Sequence, residues 1–231
     1  MLFRSLMLNQ VMIGVMRQGA KVAIASLELK PEETIVRMIC QASGIEKESL
    51  LPLAVDQFFD KAEGGLFIYT EIGDMTPKRV KAMARYVRQE LGVDHLVIDS
   101  LMKCGILEAD YAGEKTFANS VQNICKDTGL HIHLVTHAKK QKNEYENIGK
   151  FDISGSAMLS NVADNVFTVR RNKKKELEAR MSEPDELILK QCDAFINCDK
   201  QRHGNWEGVI GLYWHESGQY TRQQGRHMPL W

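Results

Sequence analysis

The chain has 231 residues, of which 44% are apolar, 26% charged and 7% aromatic. That composition excludes a disordered chain and is enough for one large domain, or at most two small ones. Thirty Lys and Arg balance thirty Asp and Glu, so no global field draws in nucleic acid, and any nucleic-acid site must be a local patch.

Five cysteines, Cys40, Cys104, Cys125, Cys192 and Cys198, occur without a CxxC spacing. This argues against a secreted disulfide framework and for a reducing, cytoplasmic setting. The apolar stretch from Leu6 to Met16 is interrupted by Asn9 and Gln10 and is too short to span a bilayer. No small-residue cleavage site follows it, so it does not read as a signal peptide.

In chain order, Leu6 to Gln18 predicts a helix apolar nearly all round, hence buried, ended by Gly19. Lys21 to Leu27 predicts a short strand, and Pro31 opens a helix through Cys40. Leu66 to Thr70 is a strand, and Thr76-Pro77 caps and starts a helix through Leu91. His95 to Ile98 is a strand ending in Asp99, Thr116 to Lys126 a helix, and His131 to Thr136 a strand. Short apolar strands separated by helices predict a parallel sheet covered on both faces. Ligands in such sheets sit at the carboxyl ends of the strands, here Leu27-Glu28, Asp99-Ser100 and Thr136-His137.

The second half differs. Ala138 to Asp152 is polar and reads as a loop, and Val162 to Val169 as a strand. Asn172 to Asp185 is highly charged and expected to be solvated. Glu186 to Asn197, Val209 to Trp214 and Gln219 to Arg222 predict strands joined by turns at Gly204, Gly208 and Gly218, an antiparallel extension of the sheet. The final GRHMPLW reads as a tail.

Several residues have the chemistry of a site. Asp99, at the end of HLVID, can hold a nucleotide's magnesium, directly or through water, although a helix N-cap would look the same. Glu28, in ASLEL, can polarise an attacking water, or be a surface glutamate at a turn. His137 can bond a phosphate oxygen, or be a satisfied strand-end histidine. His131 and His133 share one strand face, but no well-spaced further ligand makes a zinc site with them and His137. Lys139, Lys140, Lys142 and Lys150, with Asn143 and Asn147, form a basic loop able to wrap a single strand of nucleic acid, or a solvated loop. Arg170, Arg171 and Lys173 to Lys175 are a second basic run, read as a solvated turn. Lys200 and Arg202 project to one side of a strand before a glycine turn, suiting a phosphate or an exposed hairpin.

Taken in order, ASLEL, HLVIDSLM, HLVTH, the lysine loop, DISGSAMLSNVADNVFTVRRN and KQRHGNWEG resemble the motif series of DnaB-family hexameric replicative DNA helicases. They are most like the phage primase-helicase and Twinkle-like branch. The resemblance runs from about Ser5 to Arg222, and the segment from Gly155-Ser156 through Asp164 to Arg171-Asn172 is its most specific part. It implies an α/β, RecA-like P-loop NTPase fold: a mainly parallel sheet flanked by helices, with an antiparallel C-terminal extension. Residues 1–231 are then a single motor domain, with 223–231 as a tail.

The resemblance also implies roles. Glu28 matches the glutamate that activates water, Asp99 the Walker B aspartate and His137 the γ-phosphate sensor. Arg202 resembles the arginine finger that reaches a neighbouring subunit's nucleotide, with Lys200 beside it. The loop with Lys139, Lys140, Lys142, Asn143 and Lys150, together with Gly155 and Ser156, matches the part facing single-stranded DNA. ATP or another NTP with Mg²⁺, a hexameric ring, single-stranded DNA as partner and no membrane are implied as well.

The sequence departs from the family in one place. The family opens with a strand and a Gly-rich loop ending in Gly-Lys-Ser or Gly-Lys-Thr, and here only MLFRS precedes the first helix. Ser5 falls at the hydroxyl position that binds magnesium, and Arg4 where the lysine belongs. The missing strand is expected beside the Asp99 strand, leaving a gap there. The leading expectation is thus an ATP-dependent DNA helicase motor domain of replication, translocating on single-stranded DNA and weakened by the lack of that loop. The alternative is a non-catalytic remnant that binds single-stranded DNA or joins a helicase ring. A RecA-like recombination ATPase is a third, disfavoured by DISGSA.

Overall fold

The computed structural model describes residues 2–106, 110–137, 157–227 and 229–231. Four parallel strands, β1 (Val22–Ser26), β2 (Leu66–Ile68), β3 (His95–Asp99) and β4 (His131–Val135), form a sheet in the order β2-β1-β3-β4. β1 is buried along its whole length, because both faces are covered. α1 (Leu2–Met16), α2 (Pro31–Ser43) and α3 (Pro52–Ala62) cover one face, packing Met12, Ile13, Met38 and Phe58 on Val22, Ile24 and Val97. α4 (Pro77–Gln89) and α5 (Tyr111–Thr128) cover the other, with Val80, Phe117 and Ile124 against Leu96 and Ile98. Local chemistry sets the helix starts. Thr76 Oγ1 accepts from the Arg79 N–H at 3.2 Å, with Pro77 in the first turn, and Asp110 accepts from the Gly113 N–H at 2.8 Å.

The remaining strands, β5 (Asn165–Arg171), β6 (Ala194–Gln201), β7 (Gly208–Trp214) and β8 (Tyr220–Thr221), pair antiparallel in that order. They form a sheet of their own, not an extension of the first. Three short helices accompany it: α6 (Ala157–Val162), α7 (Lys173–Glu178) and α8 (Glu186–Leu189). α1 bridges the two sheets. Its Met12, Ile13 and Met16 pack in the first core, while Phe3, Leu6 and Met7 pack with Ala194, Leu212 and Tyr220 in the second.

Between the free edge of β4 and β5 lies a cleft of about 2010 Å³. The gap expected beside the Asp99 strand is therefore elsewhere, because β3 pairs with β1 on one side and β4 on the other. Among the described residues the edge strands of the parallel sheet are β2 and β4, and the cleft lies along β4.

Three further expectations change. The segment read as a strand from Glu186 starts as a helical turn, since Asp185 accepts from the Leu187 N–H at 2.8 Å, and extended chain begins only at Ala194. The charged stretch after Asn172 is partly helical, with the Asn172 side chain capping α7. The C-terminal residues are docked: the Leu230 N–H donates to Ala42 O at 2.7 Å, and the Trp231 ring lies 5.2 Å from that of Phe58. A buried amide ties these parts together, as Gln41 Nε2 donates to Leu6 O and Gly218 O at 2.9 and 2.7 Å.

At the amino ends of β3 and β4, His95, His131 and His133 share one sheet face. His95 Nδ1 is 3.0 Å from His133 Nε2, and the His131 and His133 rings are 4.4 Å apart. Among the described residues no group of His, Cys, Asp and Glu is set to hold a metal ion. Burial, then the neighbouring His131 and His95, push His133 down to about 3, and burial lowers His95 and His131 too. The unfolded chain therefore takes up protons first. The stability due to these residues is complete above the ordinary histidine pKa and is lost as pH falls below roughly 6.5. Stability is expected to drop between about pH 7 and pH 5, by at most about 1.4 kcal/mol per pH unit for each histidine, and the thermal midpoint with it. His133→Gln should flatten that dependence. Equal slopes for the two proteins would assign the loss to other groups.

Candidate functional site

Because β1, β3 and β4 run parallel and in register, with Ser26 beside Asp99 and Asp99 beside Val135, the residues that follow them meet at one edge. The first turn of α1 lies over that edge. Ser5 Oγ donates to Asp99 Oδ2 at 2.5 Å. Arg4 Nη1 donates to Thr136 O, and its Nη2 is 3.1 Å from His137 Nδ1. A guanidinium only donates, so His137 accepts at Nδ1 and, when neutral, carries its proton on Nε2. That nitrogen faces Glu28 Oε1 at 3.7 Å. Glu28 Oε1 also accepts from the fully buried Ser100 at 2.8 Å. Arg4, Ser5, Glu28, Asp99 and His137, each singled out in the sequence, thus form one connected group.

Burial leaves Asp99 short of compensating positive charge. Burial pushes the Asp99 carboxyl above the usual carboxylate range; the Ser5 hydrogen bond opposes this, the charge of Glu28 adds to it, and Arg4 and His137 oppose it. A divalent cation would supply the positive charge that this carboxylate lacks. Ser26 Oγ is buried with no hydrogen-bond partner, and with Ser5 and Asp99 it lines a small cavity of about 10 Å³, near the size of one water. Hydroxyl and carboxylate oxygens suit magnesium, which keeps most of its own waters. Arg4 and His137 have the donors for phosphate oxygens, and Glu28 is placed to bind a water. Ser26 was not picked out from the sequence, and Ser100 and Thr136 were named there only as strand-end positions. Each lies within two residues of a candidate at a strand end, which was the available signal.

Lys200 and Arg202 are not part of this group. Lys200 Nζ donates to the carbonyls of Ser160, Asn161 and Ala163 at 2.8, 3.0 and 2.7 Å. Arg202 Nη1 pairs with Asp164 Oδ1 at 2.5 Å, and its Nη2 donates to Asn161 O at 3.0 Å. Both cations thus satisfy carbonyls at the end of α6, where a helix leaves them without partners. Lys139, Lys140, Lys142, Asn143, Lys150, Gly155 and Ser156 lie outside the described residues.

Asp99 carries charge at a cost to the fold, so Asp99→Asn should raise the thermal midpoint of the ligand-free chain by about 2–4 °C, as expected for roughly 1 kcal/mol in a chain of this size. A drop of the same size would show that the carboxylate is compensated as it stands.

Comparison with known proteins agrees with this architecture. The family described as DnaB-like helicase C terminal domain matches residues 3–222. A comparison with curated proteins finds no match. Among solved structures, one titled "The Structure Of A DnaB-Like Replicative Helicase And Its Interactions With Primase" superposes with a TM-score of 0.70 at 15% identity, covering 89% of this chain. This chain spans 52% of that one, about half its length. A second solved structure, described as an ATPase domain, superposes with a TM-score of 0.72 at 14% identity, covering 94% of this chain and 81% of that one. Identities this low bear on the fold alone. No helix among the described residues is long and apolar enough to cross a membrane. With nearly its whole length matched, the chain belongs to the DnaB-like helicase C-terminal domain family.

Proposed function

We propose that residues 1–231 are one motor domain that binds a nucleoside triphosphate with Mg²⁺ and moves on single-stranded DNA within a hexameric ring. The observation that carries this reading is the group made by Ser5, Asp99, Glu28, His137 and Arg4 at the carboxyl edge of the sheet. In this reading Ser5 and Asp99 hold Mg²⁺, which neutralises phosphate charge. Glu28 accepts the proton of the attacking water, and Ser100 fixes the carboxylate's orientation. His137, bonded on its other nitrogen by Arg4, offers a hydrogen bond to the terminal phosphate and loses it on hydrolysis.

Arg202, with Lys200, serves a neighbouring subunit. Support comes from their separation from the Glu28 group and their position at the end of β6. The loop containing Lys139, Lys140, Lys142 and Lys150, with Gly155 and Ser156, contacts DNA phosphates. The described residues contain no glycine-rich loop to cradle a β-phosphate. That same observation favours a second reading, a non-catalytic subunit that binds single-stranded DNA or joins a ring.

The test is nucleotide binding and hydrolysis by the 231-residue chain. Mg²⁺-dependent binding should weaken roughly tenfold or more in Asp99→Asn, about 1.4 kcal/mol, and residual hydrolysis should disappear in Glu28→Ala. In rings competent for hydrolysis, Arg202→Ala should reduce the rate by about a thousandfold, acting on the adjacent subunit's nucleotide. Binding indifferent to Mg²⁺ and to Asp99 would refute the site, and absent binding together with retained binding of single-stranded DNA would favour the second reading.

A further inference from the structure

We propose that the solvent side of α4 and α5 is a second track for single-stranded nucleic acid, with Lys78, Lys81, Arg85 and Lys115 holding its phosphates. This goes beyond both the lysine loop and the nucleotide site of the preceding reading and rests on neither.

α4 has 13 residues, PKRVKAMARYVRQ, with five cations and no acid, in a chain whose total charge is zero. Two of the five serve the fold. Arg79 pairs with Glu71, while Arg88 pairs with Asp94 and donates to Thr128 O at 3.0 Å. Lys78, Lys81 and Arg85 have no ion pair or hydrogen bond among the described residues. Their placement works against the helix. The amino end of a helix is the positive end of its dipole, yet Lys78 and Arg79 stand in the first turn and no acid does. Lys78 and Lys81 are three apart, and Lys81 and Arg85 four apart, so like charges are neighbours on the helix surface and weaken it. Departures from local stability rules are expected at functional sites. A polyanion lying along these residues relieves both penalties.

α5 extends the surface. Both helices cover the same face of one parallel sheet, and the Arg88–Thr128 hydrogen bond joins their carboxyl ends, so they run side by side in one direction. α5 exposes Lys115, Asn119 and Asn123, spaced by four on one side of the helix. The exposed acids Glu90 and Asp127 stand at the carboxyl ends of the two helices, and Asp110, at the amino end, is taken up in capping α5. The amino-terminal two-thirds of the surface is therefore positive. Tyr86 is 56% exposed, and apart from it and Tyr111 these helices expose no large hydrophobic side chain. The apolar face needed to enter a membrane is absent here, as are the apolar anchors of a protein interface. Cations, side-chain amides and one tyrosine ring remain. Those are the groups of single-strand binding, in which phosphates meet the cations and amides and an unstacked base covers the ring. A duplex keeps its base faces stacked and leaves the ring unused.

The experiment titrates the 231-residue chain with a fluorescent oligothymidylate at several salt concentrations, and maps the contact by NMR amide shifts. Shifts are expected along Lys78 to Gln89 and Lys115 to Asn123. The double variant Lys78→Glu, Arg85→Glu should bind roughly tenfold or more weakly, with a salt slope lower by about 1.4, since each single-strand phosphate contact contributes about 0.7. The same variant places an acid at the helix start and opposite charges at neighbouring positions, so its thermal midpoint should equal or exceed that of the parent. Lost binding is then not lost folding. Lys139→Ala, Lys140→Ala and Lys142→Ala together test the loop separately and should leave the α4 and α5 shifts in place. Shifts confined to other residues overturn the proposal, as does an unchanged affinity and salt slope in the double variant. Loss of the α4 and α5 shifts in the loop variant overturns it too, and so does equally tight binding of a duplex.

Discussion

A parallel sheet covered on both faces has all its carboxyl ends along one edge, and the candidate site of this chain depends on that constraint. β1 and the middle of β3 are buried, so their polar residues are pushed to the ends, where backbone and side chains regain partners. At the end of β3, and two residues past the ends of β1 and β4, stands a residue able to accept or donate: Asp99, Glu28 and His137. α1 is then pinned over that edge, at one end by the Ser5–Asp99 hydrogen bond and along its length by Met12 and Ile13 in the core. The helix thus serves packing and site together.

The same constraint explains why α1 is apolar on nearly every side. One stripe packs under the parallel sheet, another reaches the antiparallel sheet, and Val11 looks into the cleft between them. An amphipathic helix could not bridge two sheets in this way. Within the chain, the cations of the second sheet also hold the fold together. Lys200 and Arg202 bind the last carbonyls of α6 and tie β6 to the helix that precedes β5.

Much of this was legible in the sequence because burial on both faces leaves a simple trace. VAIAS and HLVID are runs of a strand covered on both faces, and the residues after them, like those after HIHLV, were therefore site candidates. α3 was missed because its inward face is small and spaced, Ala54, Phe58 and Ala62, while Leu53 and Phe59 are exposed and blur the period. The C-terminal residues read as a tail since nothing local reveals that Trp231 meets Phe58, far away in the chain. The division into two sheets was also hidden: strand order is set by which edges meet, and single strands do not encode it. Gathering Arg4 and Glu28 around His137 needs contacts across more than a hundred positions, which residue spacing cannot supply.

The central claim is that the carboxyl edge of the parallel sheet is a divalent-cation site organised by Ser5 and Asp99. Paramagnetic Mn²⁺, added in place of Mg²⁺ without nucleotide, tests it directly, because it broadens NMR signals only in its immediate surroundings. The account predicts broadening first at Ser5, Ser26 and Asp99, with Lys200 and Arg202 unaffected at the same concentration. Broadening that begins at the exposed carboxylates of α7, or that is uniform over the surface, would contradict it.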